Sequence, residues 1–141
     1  MIAIIDYGMG NLASVQKAFA YLGCDARITD DPTEIGRASH VVLPGVGAFR
    51  DAIAALRDSG LHAGFLKAVY AGRPCLGSCL GMQLLFEKST ENGSYEGLGL
   101  FPGTIERMPE SVGVKVPHMG WNELDMRDGI MYDGVQTPAH A

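Results

Sequence analysis

An α/β fold with a doubly wound, mostly parallel sheet and flanking helices is what this sequence predicts. Three observations carry the prediction. Short apolar runs of strand length alternate with segments of helical period. Three of those runs end in glycine-rich turns that open onto a helix, at residues 7–11, 44–47 and 77–81. Hydrophobic residues make up 47% of the 141 residues and charged residues 19%, a balance that favours a packed core over disorder.

Taken in chain order, Ile2–Ile5 is an apolar run closed by Asp6 and reads as a buried strand. Residues 7–11 form a turn, and Asn11 or Ser14 is placed to cap the next helix. Leu12, Val15, Phe19 and Leu22 recur at helical spacing, and Gly23 is a natural stop. Residues 24–29 read as a weaker second strand, and Asp30-Asp31-Pro32 opens a short helix with proline in its first turn. Val41-Val42-Leu43 is a third strand. Phe49, Ile53 and Leu56 form a helical stripe, and Ser59 is placed to cap a second helix carrying Leu61, Phe65, Leu66 and Val69. Cys75 to Ser78 is a fourth strand, and residues 80–86 read as helical. Beyond Gly93 glycine and proline become frequent, and residues 98–107 and 112–116 read as strands joined by loops.

Length and charge set outer limits. A chain of 141 residues is expected to form one domain, covering 1–141. The net charge is −5 with Lys and Arg scattered, so no basic footprint for nucleic acid is present. No apolar run approaches the ~18 residues of a membrane span, and the opening Met-Ile-Ala-Ile-Ile-Asp lacks the basic start of a signal peptide. The three cysteines, Cys24, Cys75 and Cys79, form no regular framework, which points to a reducing, cytoplasmic setting. No ligand cluster suggests a metal, and no cofactor is expected.

In a doubly wound sheet the site lies off the carboxyl ends of the strands, where the three glycine-rich turns belong. Gly77-Ser78-Cys79-Leu80-Gly81 stands between a strand and a helix as Gly-x-Cys-x-Gly. It is the cysteine counterpart of the nucleophile elbow. The turn is tight, so the residues two before and two after the nucleophile must be small. The following helix would point its N-terminus at the sulfur and favour thiolate. Cys75, in the body of the strand, reads as core, and Cys24 carries no functional signal. An acyl-transfer nucleophile also needs an oxyanion hole. The N–H of Leu80 and that of Val46, between Gly45 and Gly47, are the candidate donors.

Four segments carry a resemblance. They are Asp6-Tyr7-Gly8-Met9-Gly10-Asn11-Leu12, Leu43-Pro44-Gly45-Val46-Gly47-Ala48-Phe49, Gly77-Ser78-Cys79-Leu80-Gly81-Met82-Gln83-Leu84-Leu85 and Pro117-His118-Met119-Gly120-Trp121-Asn122. Together they resemble the class I, triad-type glutamine amidotransferases. The first and last resemble the glutaminase subunits of imidazole glycerol phosphate synthases within that family. The resemblance implies that Cys79 attacks the side-chain amide of glutamine, releasing ammonia and leaving a thioester that water hydrolyses. It implies that Gly45, Gly47, Gln83 and Glu91 hold the glutamine and that Val46 and Leu80 donate to the oxyanion. It further implies that ammonia passes to a (β/α)8-barrel cyclase in a heterodimer serving histidine biosynthesis, with Asn11, Met119, Trp121 and Asn122 facing that barrel.

The residues themselves leave alternatives open. Gln83, one helical turn after Cys79, is equally at home as a solvated helix residue. Glu91 in a polar loop reads by itself as surface. Trp121 is an interface anchor if exposed and simply core if buried. His118 reads as structural. The family's triad is completed by a His-x-Glu pair, and none of His40, His62, His118 or His140 is followed two residues later by Glu. The chain is therefore expected to be truncated, to hydrolyse glutamine poorly or not at all, and to expose a sheet edge. The competing readings are another class I glutaminase, such as the vitamin B6 type, a cysteine hydrolase of another elbow family, and a non-catalytic flavodoxin-like module or inactive fragment.

Overall fold

The computed structural model describes residues 1–109, 113, 116–127 and 129–140. Two compact units divide the chain, Met1–Arg107 and Met108–Ala141.

The first unit opens β1(Ile2–Ile5), α1(Leu12–Tyr21), β2(Ala26–Thr29), α2(Pro32–Arg37), β3(His40–Leu43), α3(Phe49–Asp58), α4(Leu61–Tyr70), β4(Cys75–Gly77) and α5(Leu80–Gln83). The four strands make one parallel sheet in the order β2-β1-β3-β4. The chain moves outward from β1 to β2, then returns past β1 to β3, so the crossovers place helices on both faces. Alternation along each strand sorts the side chains. Ala3, Ile5, Val41 and Leu43 join one buried cluster with Ile35 of α2, Phe49 and Leu56 of α3, and Phe65 of α4. Full burial of a phenylalanine such as Phe49 or Phe65 contributes about 1.5–3 kcal/mol.

Local signals fix the helix ends where the sequence places them. The Asn11 side chain accepts from the Ser14 N–H at 3.4 Å, and Asp31 accepts from the Thr33 N–H at 2.7 Å. Gly23, at φ 75°, ends α1 in the left-handed region. Between α3 and α4 the cap itself is Gly60 at φ 73°, while the Ser59 hydroxyl accepts from the Leu61 N–H at 3.4 Å. The Arg73 guanidinium closes the end of α2 by donating to the carbonyls of Gly36 at 2.6 Å and Ala38 at 3.0 Å.

Past α5 the structure departs from the expected helix over 80–86. After one turn the chain straightens at Phe86 into β5(Phe86–Ser89), which pairs antiparallel with β6(Tyr95–Glu96) and parallel with β7(Phe101–Ile105). Leu84 and Leu85 are buried, as a helix would have had them, so apolar content alone could not separate the two readings. Leu98 and Leu100 instead donate their backbone N–H groups to Leu84 and Leu85 at 2.8 Å each. The strand expected over 98–107 is thus shorter.

The second unit has little regular structure among its described residues. Glu123 and His140 form an antiparallel bridge, and a short 3-10 turn covers Ile130–Tyr132. Most of the strand expected over 112–116 lies outside the described residues. No described helix is long and apolar enough to cross a membrane.

Candidate active site

Cys79 stands where β4 turns into α5, with φ 54° and ψ −122°. Among the described non-glycine residues only Asn92 shares a positive φ. A strained backbone of this kind costs about 1–3 kcal/mol and persists only where its surroundings enforce it. Here the enforcement is backbone packing. The Ser78 N–H donates to the Leu43 carbonyl at 3.0 Å, the Gly81 N–H to Ser78 at 3.0 Å, and the Met82 N–H to Cys79 at 3.0 Å. A Cβ on Gly77 would stand 2.7 Å from the Met82 Cα, and one on Gly81 would fall onto the Leu43 carbonyl. Both glycines are therefore fixed by contact with neighbouring backbone rather than by an unusual φ.

The three cysteines differ sharply in setting. Cys79 is exposed at the carboxyl edge of the sheet. Cys75 is half-buried in β4, where burial pushes its thiol up and the charge of Arg73 only partly opposes the shift. Cys24 is exposed ahead of β2, at the opposite edge. The helix after Cys79 is a single turn, Leu80–Gln83, so little macrodipole stands behind the sulfur. What the turn does offer is an N–H: among the described residues that of Leu80 has no acceptor.

The loop after β3 lies against this bend. A Cβ on Gly45 would meet the Gly81 nitrogen at 2.7 Å, the Tyr7 hydroxyl at 2.9 Å and the Leu80 carbonyl carbon at 3.1 Å. Pro44 and Gly45 are buried, whereas Val46 and Gly47 are exposed. The Val46 N–H also has no acceptor among the described residues. The loop after β1 completes the arrangement. A Cβ on Gly10 would touch the Pro44 Cβ at 3.3 Å, and one on Gly47 would reach the Met9 Cε at 3.4 Å. All three glycine-rich turns meet at one edge of the sheet. Such a bend can present a sulfur to a carbonyl carbon, with two unpaired backbone N–H groups from adjoining segments available to the oxygen.

The remaining candidates are placed as follows. Gln83 is half-buried at the end of α5, its N–H donating to the Cys79 carbonyl at 3.3 Å. Glu91 is half-buried in the turn after β5, its N–H donating to the Ser89 hydroxyl at 3.2 Å. Asn11 is exposed and caps α1. In the second unit Met119 is 86% exposed and Trp121 85%. Asn122 donates to the Gly120 carbonyl at 3.2 Å and shares a 3.0 Å hydrogen bond with the His118 ring. Sequence reasoning missed Tyr7, which it took as part of a plain turn. Tyr7 is buried, its hydroxyl pushed up to about 12 by loss of solvent, and it donates to the Pro44 carbonyl at 2.7 Å. The available signal was an aromatic hydroxyl directly after a buried strand, a group that needs a partner wherever the chain covers it.

The chain matches known proteins over nearly its whole length. The family model for glutamine amidotransferase class-I covers residues 3–134. The imidazole glycerol phosphate synthase subunit HisH of Moorella thermoacetica is 54% identical over 135 residues, 95% of this chain and 63% of that relative. The HisH subunits of Syntrophotalea carbinolica and Geobacillus thermodenitrificans are 52% and 51% identical, covering 97% and 96% of this chain. The chain spans between 63% and 69% of the length of these three relatives. A crystal structure of a glutamine amidotransferase superposes with a TM-score of 0.64 over 76% of this chain and 57% of that one, at 20% identity, a likeness in fold. With the parallel sheet and the matched residues together, the chain belongs to the class I glutamine amidotransferase family.

Proposed function

We propose that this chain carries the glutamine-hydrolysing chemistry of an imidazole glycerol phosphate synthase and passes ammonia to a (β/α)8-barrel cyclase. The observation that carries the reading is Cys79, held exposed at a strained bend beside the loop 44–47, with the N–H groups of Val46 and Leu80 lacking an acceptor among the described residues. The Cys79 thiolate attacks the γ-amide carbon of glutamine and forms a sulfur–carbon bond. The carbonyl electron pair moves to oxygen, where the N–H groups of Val46 and Leu80 receive it. The carbon–nitrogen bond then breaks, the nitrogen gains a proton and leaves as ammonia, and a γ-glutamyl thioester remains on sulfur. Water hydrolyses the thioester to glutamate and free thiol. The resemblance assigns the proton transfers to the histidine of a His-x-Glu pair, a sequence these 141 residues do not contain.

Gln83 and Glu91, with the backbone of Gly45 and Gly47, are assigned to the glutamine itself. Asn11 in the first unit, and Met119, Trp121 and Asn122 in the second, are assigned to the surface that meets the barrel in a cytoplasmic heterodimer. Both units are read as parts of one amidotransferase domain, in keeping with a family match that spans residues 3–134. An activated γ-glutamyl aryl ester tests the chemistry directly, because its phenolate leaves without needing a proton. The expected result is one aryl alcohol released per chain, with a γ-glutamyl group on Cys79 found by mass spectrometry. Gln83→Ala should raise the ester concentration needed for half-maximal rate about tenfold. Release without acylation of Cys79 would end the proposal.

A further inference from the structure

We propose that Tyr7 is a positioning residue for the oxyanion hole, its hydroxyl holding the loop 44–47 in the orientation that aims the Val46 N–H at the reacting oxygen. The inference rests on the function proposed above. Three observations on the first unit support it. The Tyr7 hydroxyl donates to the Pro44 carbonyl at 2.7 Å, and both residues are buried. Fixing that carbonyl fixes the peptide plane entering Gly45, because the peptide is planar. Gly45 in turn is wedged between the Tyr7 hydroxyl and the backbone at Leu80 and Gly81, where any Cβ would collide. The next peptide carries the Val46 N–H, and beyond it Gly47 takes φ 95°, a region glycine enters easily. Gly45 adjoins that peptide and Gly47 lies one residue beyond it, so side chains restrain its direction little, and the Tyr7 tie on the preceding peptide sets where the turn to Val46 begins. Among the described residues the hydroxyl of Tyr7 is the only side-chain donor hydrogen-bonded to the backbone of residues 44–47.

Tyr7 touches neither substrate nor sulfur in this account. It acts through Pro44, and the role predicts a signature that loss of fold would not produce. Acylation by a γ-glutamyl aryl ester passes through an oxyanion. Alkylation of the same sulfur by iodoacetamide is a displacement at saturated carbon and has none. In acylation the sulfur–carbon bond forms, the carbonyl pair moves to oxygen and returns, and the phenolate departs with its bonding pair. In alkylation iodide departs in one step. Tyr7→Phe keeps the ring and removes only the donor.

The experiment measures both rates at Cys79 by mass spectrometry on the full 141-residue chain, wild type beside Tyr7→Phe. The expected result is that acylation slows about tenfold or more while alkylation of Cys79 stays within about twofold, a shift in ratio smaller than loss of a whole oxyanion donor would give. Gly45→Ala, which displaces the same loop from its other side, should shift the ratio in the same direction. If both rates fall together, Tyr7 supports the elbow as a whole and the positioning role is overturned. If neither changes, the hydrogen bond is idle and the proposal is likewise overturned, with the glutaminase reading intact. If the wild-type chain is alkylated at Cys79 but never acylated, the underlying function fails instead.

Discussion

The bend at residues 77–81 and the segment at residues 118–122 both contain glycine and both carry motifs of the same family, yet they are built in opposite ways. At the bend the nearest contact of each glycine is with backbone: Gly77 against Met82, Gly81 against Leu43, Gly45 of the facing loop against Gly81. At 118–122 a Cβ on Gly120 would meet nothing within 4 Å, and Met119 and Trp121 stand in solvent. The first region is explained by its own packing. The second shows large apolar side chains that its own unit does not bury.

Substitution separates the two cases. Gly81→Ala drives a methyl into the Leu43 carbonyl and should destabilise the chain by about 3 kcal/mol, read as a lower denaturant midpoint. Trp121→Ala should leave stability within about 0.5 kcal/mol, because the ring is 85% exposed. It should weaken association with the proposed cyclase barrel by about 2 kcal/mol, near 30-fold in Kd by titration calorimetry. A stability loss in Trp121→Ala as large as that in Gly81→Ala would erase the distinction. Gly36→Ala is the quiet control. That helical glycine has nothing within 4 Å of an added Cβ, so a gain of about 0.5 kcal/mol is expected.

Tyr7 adds a smaller effect through pH. Its folded value of about 12 exceeds the unfolded value near ~10, so the unfolded chain gives up its proton first. The stability this contributes is complete below pH ~10 and is lost as pH rises toward about 12. Tyr7→Phe should flatten that part of the stability curve, read as the denaturant midpoint measured between about pH 9 and about pH 12.

How far the sequence could be read follows from the same physics. β1, α1, β3 and α3 were legible because each joins a clear period to a clear stop: Asp6, Gly23, Pro44 and Ser59. The nucleophile bend was legible because its glycines answer to steric need. β5 and β6 were not, since Phe86 to Ser89 carries two charges and continues an apolar helix signal without a break. The burial of Trp121 could not be read either, because a lone tryptophan serves a core and an interface equally well. Tyr7 was missed because its partner, the Pro44 carbonyl, lies 37 residues away and leaves no trace in local pattern.

A chloromethyl ketone shaped like glutamine offers the most direct test that Cys79 is the working sulfur. Incubated with the chain at neutral pH and read by peptide mass spectrometry, it should modify Cys79 well ahead of Cys24 and Cys75, and free glutamine should protect. Modification of exposed Cys24 at the same rate, with no protection by glutamine, would contradict the account.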